Sequence, residues 1–484
     1  MDEQEILRIL TNDFNLHWDK GHVAKARTQE FKRRDFFSIA DQLKSEKITS
    51  IIGPRRVGKT TIMFQLIDYL IKELNVDSKR IIYVSMDNEY LIRASKEPLK
   101  DMLDIYMKYI LKDNYSDIQK RVYVFLDEIQ HLQNWQKKLK SWFDYKYNIK
   151  FILSGSSSLL IQKDISHLIG RISERIVFPL KFSDFLDYYT KHNKRYYDIS
   201  KMLRDSLKTS LIKKNPEYLM KTIKDLSFEF VKRENEIEKH LQQFMIKGGY
   251  PELLDKQDYS LCSSELRDTI LSKSILDIIE RYGLRNISLL KYLFSITSSK
   301  SGSKITYQGL SKDLAVERPT IISHLDYLED AFLLSKSNFY SRSVIKRARK
   351  EKKYYVNDIG MRNSVVGAMN ESLLKDSTDL GIVAETIVFD HTKRLRFFLS
   401  GKQTTDLYYW SDNVNEIDII LDYDNLPIPI EVKFRKTIEP SHSKTMRLFM
   451  KKNKSPFGIM VTKNYLDLKD NIIYIPLSLY LLIC

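Results

Sequence analysis

The residues of this 484-residue chain that most clearly suggest chemistry form one short loop. The loop reads Gly53-Pro54-Arg55-Arg56-Val57-Gly58-Lys59-Thr60-Thr61 and fits the phosphate-binding pattern G-x-x-x-x-G-K-[ST] without a mismatch. Glycines let a backbone wrap closely around a polyphosphate, and the N–H groups of the loop and of the next helix point at the anion. Lys59 is expected to reach the β- and γ-phosphates, and the Thr60 hydroxyl to bind Mg²⁺. The loop predicts ATP and Mg²⁺ as cofactors.

A second motif supplies two adjacent carboxylates. The strand-forming run Arg121-Val-Tyr-Val-Phe-Leu126 ends in Asp127 and Glu128, as expected of a buried parallel strand whose carboxyl end faces a ligand. Asp127 would hold Mg²⁺ through water, and Glu128 would act as the general base that deprotonates the attacking water. A solvated acidic pair is the alternative, but together with the loop the motif predicts ATP hydrolysis.

Two further polar residues are candidates for the same site. Ser154 closes the next apolar strand and can hydrogen-bond the γ-phosphate or the lytic water, although a plain Ser/Gly turn gives the same pattern. Arg171, which follows Gly170, can sense the γ-phosphate within its own chain or reach into a neighbouring subunit. Most arginines are only surface charges, and the sequence leaves a homo-oligomer open.

The order of these motifs resembles a known family. GPRRVGKTT, VYVFLDEIQHLQNW, FILSGSSSLL, GR and FPLKFSDFL are similar to archaeal and bacterial AAA-type ATPases with a C-terminal nuclease-like domain of the DUF4143 type. The likeness runs from about Arg33 to the C-terminus, and its later parts are GGYPE at 248–252, YYVNDIG at 354–360, EID at 416–418 and IEVK at 430–433. The resemblance implies architecture and ATP use more directly than a physiological role.

Four residues of the last third carry a separate hypothesis. Glu431 and Lys433 project to the same face of an apolar strand, and Asp418 lies on the strand before it. The pattern is that of the restriction-endonuclease-like fold, PD-(D/E)XK, in which carboxylates hold Mg²⁺ and the lysine positions water. Glu385, on a predicted helix, would add a carboxylate. A pseudo-nuclease that keeps the ion pair only for packing is the alternative.

Residues 286–350 are interpreted as a winged helix-turn-helix. Thr306 can cap a helix, Ala315 lies in the turn, and Pro319 suits the start of a second helix. One face of that helix offers Arg318, Thr320, Ser323, His324 and Tyr327, and a basic hairpin around Lys346, Arg347, Arg349 and Lys350 would straddle a phosphate backbone. Winged helices also dock proteins, so a protein partner remains an alternative to DNA.

Composition agrees with a polyanionic partner. The net charge is +16, which favours nucleic acid over an anionic membrane, although solvated faces would give the same count. The two cysteines form no C-x-x-C pair, and the start of the chain lacks the zones of a signal peptide. The apolar stretch Ile472 to Cys484 contains Pro476 and is too short to cross a bilayer. We therefore expect a cytoplasmic protein without membrane contact.

The expected fold class is α/β and multidomain. Residues 1–30 are predicted as a helical leader, 31–180 as the P-loop ATPase core, 181–285 as a helical lid, 286–350 as the winged helix and 351–484 as the nuclease-like domain. Two functions follow: an ATPase that acts on DNA and can cleave it, or a nucleotide-gated regulatory protein whose winged helix docks protein and whose nuclease-like domain is inert.

Overall fold

The computed structural model describes residues 3–93, 97–155, 168, 170–191, 195–400, 406–412, 414–435 and 437–484. The chain divides into two compact units, Met1–Phe178 and Pro179–Cys484. Residues 181–285, predicted as a lid, therefore belong to the second unit, and their action as a lid stays a prediction.

The first unit contains a parallel five-stranded sheet. Its strands are β1 Ile48–Ile52, β2 Ile81–Ser85, β3 Val122–Asp127, β4 Ile149–Gly155 and β5 Ile172–Ile176. They lie in the order β2-β3-β4-β1-β5, and every neighbouring pair is parallel. Because carboxyl ends of parallel strands meet at one edge, the ends of β1 and β3 lie on the same side of the sheet, with the end of β4 between them.

Helices flank this sheet. They are α1 Glu3–Ile9, α2 His17–Lys20, α3 Arg34–Ala40, α4 Lys59–Lys72, α5 Glu89–Arg93, α6 Pro98–Ile105 and α7 Trp135–Asp144. α4 begins directly after Gly58 and buries Ile62, Leu66 and Leu70, which recur at helical spacing. The predicted strand, loop and helix around the phosphate-binding loop are confirmed.

The first thirty residues cover the edge strand β2. The Asn15 side chain accepts from Tyr83 N (2.7 Å) and donates to Tyr83 O (3.0 Å), and the Trp18 indole N–H donates to Ile81 O (2.7 Å). An uncovered edge strand presents unpaired N–H and C=O groups that invite pairing with another chain. The helical leader satisfies part of that edge with side chains.

The second unit begins with helices. They are α8 Phe182–Thr190, α9 Arg195–Lys213, α10 Glu217–Asp225, α11 Ser227–Lys232, α12 Glu234–Lys247, α13 Tyr259–Ser264, α14 Ser272–Tyr282, α15 Ile287–Ser299, α16 Tyr307–Leu314, α17 Arg318–Asp330, α18 Val344–Arg349, α19 Ile359–Val366, α20 Ser377–Ser400, α21 Lys444–Asn453 and α22 Leu477–Ile483. As predicted, the Thr306 hydroxyl caps α16 by accepting from Gly309 N, and Pro319 lies in the first turn of α17.

A nine-stranded mixed sheet runs through the rest of this unit. Its strands are β6 Lys304–Ile305, β7 Leu334–Phe339, β8 Lys352–Val356, β9 Tyr408–Ser411, β10 Glu416–Tyr423, β11 Leu426–Lys433, β12 Gly458–Thr462, β13 Asp467–Lys469 and β14 Ile472–Pro476. Their order is β13-β14-β12-β11-β10-β9-β7-β8-β6. β7 pairs antiparallel with β8 and parallel with β9. The predicted domain boundary after residue 350 is corrected, because β8 completes the pairing of β7 and the sheet continues without a break.

β7 and β8 pair antiparallel and form the predicted hairpin around the basic residues. The connection between them contains the short helix α18, which begins after Ser343, whose hydroxyl accepts from Lys346 N (3.3 Å). A Ser cap followed by residues with good helix propensity explains this helix, which the sequence analysis did not predict.

The apolar C-terminus is buried. The apolar stretch 472–484 forms the strand β14 (Ile472–Pro476) and the helix α22 (Leu477–Ile483). Within the described parts of the chain, every helix is too short or too polar to cross a lipid bilayer.

Candidate nucleotide site and carboxylate cluster

The phosphate-binding loop has a backbone that its glycines make possible. Gly53 has φ +155° and Gly58 has φ +92°. A Cβ at position 53 would lie 2.0 Å from the carbonyl oxygen of Val177, which is closer than any side chain can approach. Arg56 also adopts a positive φ, of 61°. The loop therefore keeps a curled conformation that exposes its N–H groups at the carboxyl end of β1.

Lys59 lies inside the curl of this loop. Its ammonium donates to Gly53 O (3.0 Å) and Pro54 O (2.9 Å), and only 4% of the residue is exposed. These bonds hold the Lys59 charge at the concave side of the loop, where the sequence predicted the β- and γ-phosphates. The binding of phosphate by Lys59 stays a prediction.

Asp127, at the end of β3, is hydrogen-bonded to residues of α4, β2 and β4. Its Oδ2 accepts from the Thr60 hydroxyl (2.7 Å) and from the Tyr83 hydroxyl (2.8 Å), while its Oδ1 accepts from the Ser154 hydroxyl. Burial and the Asp127 carboxylate raise the pKa of Tyr83, so Tyr83 stays a neutral donor. Thr60 and Asp127, the two predicted Mg²⁺ ligands, are thus in direct contact. A hydroxyl beside a carboxylate is an oxygen-only donor pair that fits Mg²⁺.

Glu128 follows Asp127 in a left-handed conformation, with φ 49°. Its N–H donates to Ser154 Oγ (3.1 Å), and its carboxylate accepts from the Gln130 amide. The half-buried side chain is therefore oriented next to the Asp127 carboxylate. Ser154 positions both acidic residues, so its role as a direct phosphate or water contact stays a prediction.

Two residues that sequence analysis did not select support this site. Tyr83, in the middle of β2, binds Asp127 as described above. Arg33 donates to Val57 O (2.9 Å) and to Phe178 O (2.7 Å), which fixes the phosphate-binding loop against the segment after β5. Neither belongs to a short motif, and only the three-dimensional arrangement reveals them.

Arg171 lies at the other end of the sheet. Its carbonyl accepts from Ile48 N at the amino end of β1, and its guanidinium binds Asp144 (2.7 Å). The five residues of β1 separate this position from the phosphate-binding loop by about 15 Å. A γ-phosphate contact within the same chain is therefore wrong, and a contact with a neighbouring subunit stays a prediction.

The four residues predicted for a nuclease-like site lie close together in the second unit. Val432 N donates to Asp418 Oδ2 (3.0 Å), Asp418 N donates to Glu431 Oε2 (3.4 Å), and the Lys433 ammonium binds Glu431. Glu385 accepts from the Tyr355 hydroxyl (2.7 Å). We call Glu385, Glu416, Asp418 and Glu431 the carboxylate cluster.

A lysine that the sequence analysis did not identify contacts three members of this cluster. The Lys353 ammonium, on β8, lies 2.6 Å from Glu416, 3.5 Å from Glu385 and 4.0 Å from Asp418. Burial acts against its charge, but these carboxylates raise the pKa of Lys353 above its usual value. Lys353 directly precedes the YYVNDIG segment at 354–360, but the sequence alone could not connect it to Asp418.

Burial and charge repulsion act on the cluster carboxylates. Burial and the neighbouring Asp418 raise the pKa of Glu385 to about 7 and the pKa of Glu431 to about 8. Among the described residues, no three acidic, histidine or cysteine side chains are arranged to hold a metal ion. The predicted nuclease residues therefore come together, but in a geometry organised around lysines.

The predicted DNA-contact residues divide into two groups. On α17, Arg318 is exposed and Thr320 is partly exposed, whereas the buried His324 binds Thr320 O (2.8 Å) and Tyr327 stacks on Tyr282. The predicted DNA contact by His324 is therefore contradicted by its burial, whereas Tyr327 is half-buried and its contact stays a prediction. The connection that includes α18 is the more basic surface: Lys346, Arg349 and Lys350 are exposed, and Arg347 contacts the Tyr408 ring.

Comparison with known families identifies three segments. Residues 45–186 match a family described as an AAA domain, residues 238–372 match a domain of unknown function (DUF8612), and residues 380–480 match a domain of unknown function (DUF4143). The first match covers the phosphate-binding loop, Asp127, Glu128 and Ser154. This part of the chain is therefore similar to AAA domains, which supports nucleotide binding and ATPase activity.

Similar proteins occur in archaea and bacteria, and those named here are described only as uncharacterized. One from Methanocaldococcus jannaschii is 27% identical over 390 residues, covering 79% of this chain and 74% of that protein. A second from the same organism is 23% identical over 491 residues, covering 99% and 95%. A Haemophilus influenzae protein is 25% identical over 350 residues, covering 70% and 71%. The likeness to the second archaeal protein extends over both compact units.

The glycine at position 53 gives the first testable prediction. Gly53→Ala should lower the free energy of unfolding by at least about 1–3 kcal/mol, because the added methyl group overlaps Val177 O. It should also weaken binding of a fluorescent ATP analogue. Gly21→Ala is the matched control, because Gly21 also has a positive φ (66°) but open space around its Cβ position. Equal losses in the two variants would show that the contact with Val177 is unimportant.

The carboxylate cluster predicts a pH-dependent stability. Because the folded state raises the pKa of Glu431 from near 4.5 to about 8, its stabilising contribution is complete below pH 4.5 and is lost as the pH rises to 8. Glu431→Gln should therefore raise the melting temperature relative to wild type at pH 8.5 more than at pH 5. Thermal unfolding at several pH values measures this difference. The exposed control Glu351→Gln should show no such trend, and parallel curves for Glu431→Gln and wild type would contradict the prediction.

Proposed function

We propose that this protein is a Mg²⁺-dependent ATP hydrolase that acts on DNA. The contact between the Thr60 hydroxyl and Asp127 Oδ2 carries the first half of this proposal, because it brings the phosphate-binding loop and the acidic strand end to one point. A nucleotide-binding loop alone supports binding, whereas the adjacent Glu128 supports hydrolysis.

In this mechanism, each residue of the first unit has a definite task. Lys59 and the N–H groups of the loop would bind the phosphates, while Thr60 and Asp127 would hold Mg²⁺, which when bound neutralises phosphate charge. Glu128 would accept a proton from the attacking water. The Glu128 backbone N–H donates to the Ser154 hydroxyl, and the Gln130 amide donates to the Glu128 carboxylate. The base is therefore oriented before substrate arrives.

The DNA half of the proposal rests on the connection between β7 and β8. It presents exposed Arg342, Lys346, Arg349 and Lys350 around an exposed apolar pair, Val344 and Ile345. Basic side chains bind phosphates, and small apolar side chains among them can contact sugars in a groove. α17 contributes less, because it carries Arg318 but also Asp326, Glu329 and Asp330.

DNA cleavage is a second candidate function. The convergence of Glu385, Asp418, Glu431 and Lys433 favours it, since residues of one helix and two strands are linked through one network of contacts. The alternative function is a nucleotide-gated regulatory protein whose helix-turn-helix docks another protein and whose carboxylate cluster is inert. The acidic half of α17 suits that alternative.

The general base gives a direct test of hydrolysis. Glu128→Gln should keep ATP affinity while lowering the rate of phosphate release by about 10²–10⁴-fold, because the amide cannot take the proton. Equilibrium binding of an ATP analogue and single-turnover phosphate release measure the two effects. Lys59→Ala is the contrasting variant and should lose affinity itself. Normal turnover by Glu128→Gln would remove the base assignment.

The basic connection gives a test of DNA binding. The triple variant Lys346→Glu, Arg349→Glu, Lys350→Glu should weaken duplex binding and lower the slope of log affinity against log salt by about one per lost phosphate contact. It should also abolish DNA stimulation of ATP turnover.

The matched control reverses three exposed lysines elsewhere in the second unit: Lys201, Lys208 and Lys221. This variant has the same net charge and should retain DNA stimulation. Equal losses in both variants would indicate a general charge effect, and no loss in either would favour the regulatory alternative.

A further inference from the structure

Lys353 occupies an unusual place for a lysine. The residue is 2% exposed, and its ammonium is surrounded by Glu416, Glu385 and Asp418 at 2.6, 3.5 and 4.0 Å. A buried ammonium is costly unless carboxylates compensate it. Here three carboxylates do so, two from the strand β10 and one from the helix α20, which is more than one lysine needs.

The charges of the carboxylate cluster indicate that the Lys353 ammonium takes the place of a metal cation. The cluster contains four carboxylates, and the lysines paired with them are Lys353, Lys304 and Lys433. With all groups ionised, the network has a net charge of −1, and without Lys353 it would have −2. A divalent cation in place of the ammonium would neutralise that charge. Carboxylates are also the donors that hard divalent cations prefer.

We propose that the Lys353 ammonium is the built-in cation of a latent divalent-metal site formed by Glu385, Glu416 and Asp418. While Lys353 is in place, the site excludes Mg²⁺ and Mn²⁺. The site takes a divalent cation when that side chain is withdrawn. Lys353 is thus an autoinhibitory contact at the metal position of the cluster.

The distances from the Lys353 nitrogen to the carboxylates agree with the exclusion of a metal ion. Mg²⁺ needs its oxygen ligands at about 2.1 Å, whereas the carboxylates stand 2.6 to 4.0 Å from the Lys353 nitrogen. Ammonium and metal cannot share this space, and the carboxylates must move inward when the ion replaces the side chain. This explains why the described acidic side chains converge without forming a metal-holding group.

The position of Lys353 on β8 indicates which part of the chain could move its side chain out of the carboxylate cluster. β8 starts at Lys352, directly after the exposed basic connection, and the Lys352 ammonium binds the carbonyl of Arg347 in α18. A polyanion on α18 would therefore act on the end of the strand that carries Lys353. This step rests on the proposed DNA contact, whereas the occupation of the metal position by Lys353 does not.

Counting bound Mn²⁺ tests the proposal on the full-length protein without nucleotide. Electron paramagnetic resonance of free Mn²⁺ should give the same number of bound ions for wild type and Asp418→Asn, because the cluster holds none while Lys353 is present. Lys353→Met should bind one additional Mn²⁺ per chain, and the double variant Lys353→Met, Asp418→Asn should lose it. Any Mn²⁺ held near Asp127 is common to all four proteins and cancels.

Two outcomes would overturn the proposal. One is a loss of Mn²⁺ on Asp418→Asn in the otherwise wild-type chain, which would mean that the site is open beside Lys353. The other is a folded Lys353→Met protein that gains no ion. If the methionine variant does not fold, Lys353→Gln replaces it, because its amide can still donate to Glu416. The Mn²⁺ count requires neither ATP turnover nor DNA cleavage, so failure of the proposed function leaves this test intact.

Discussion

The hydrogen bonds of Asp127 are the interaction on which the candidate ATP site depends. A carboxylate at the end of β3 can meet a hydroxyl at the start of α4 only because β4 alone separates β3 from β1 in a parallel sheet. The same order places Ser154, at the end of β4, between the two. One residue thus fixes the end of β3 relative to the start of α4 and the end of β4, and the proposed chemistry of the first unit follows from that position.

Much of the candidate ATP site was predictable from sequence, because its parts are short motifs that each correspond to a known local structure. The curled loop, the strand ending in Asp127 and Glu128, and the polar end of β4 all lie where spacing and residue type placed them. The roles of Tyr83, Arg33 and Lys353 were not predictable, since each acts through a partner at least 24 positions away in the sequence. The prediction for Arg171 within its own chain was wrong for a different reason. An arginine was assigned to the phosphate site, but the sequence did not show that residue 171 lies beside the amino end of β1.

In the second unit, the sequence indicated which segments matter but not how they meet. Asp358 accepts from Gly249 N (2.9 Å) and Met361 N (3.0 Å), and a Cβ on Gly248 would lie 2.4 Å from its carboxylate. A Cβ on Gly360 would likewise lie 2.1 Å from Lys247 O. The GGYPE and D-x-G segments are therefore two halves of one contact, in which glycine is required for close approach. This contact lies inside the 238–372 match and crosses the predicted boundaries at 285 and 350.

Asp127 and the carboxylate cluster differ in the charge of the groups that contact them. In our proposals, this difference decides how easily each one binds a metal ion. Among the described residues, the hydrogen-bond donors to Asp127 are neutral: two hydroxyls of Thr60 and Tyr83, the Ser154 hydroxyl and a backbone N–H. Such donors orient a carboxylate without cancelling its charge, so it can still attract Mg²⁺. The carboxylates around Lys353 are oriented by ammonium groups, which cancel their charge as they hold them. A cation can join the first centre but must displace a side chain from the second.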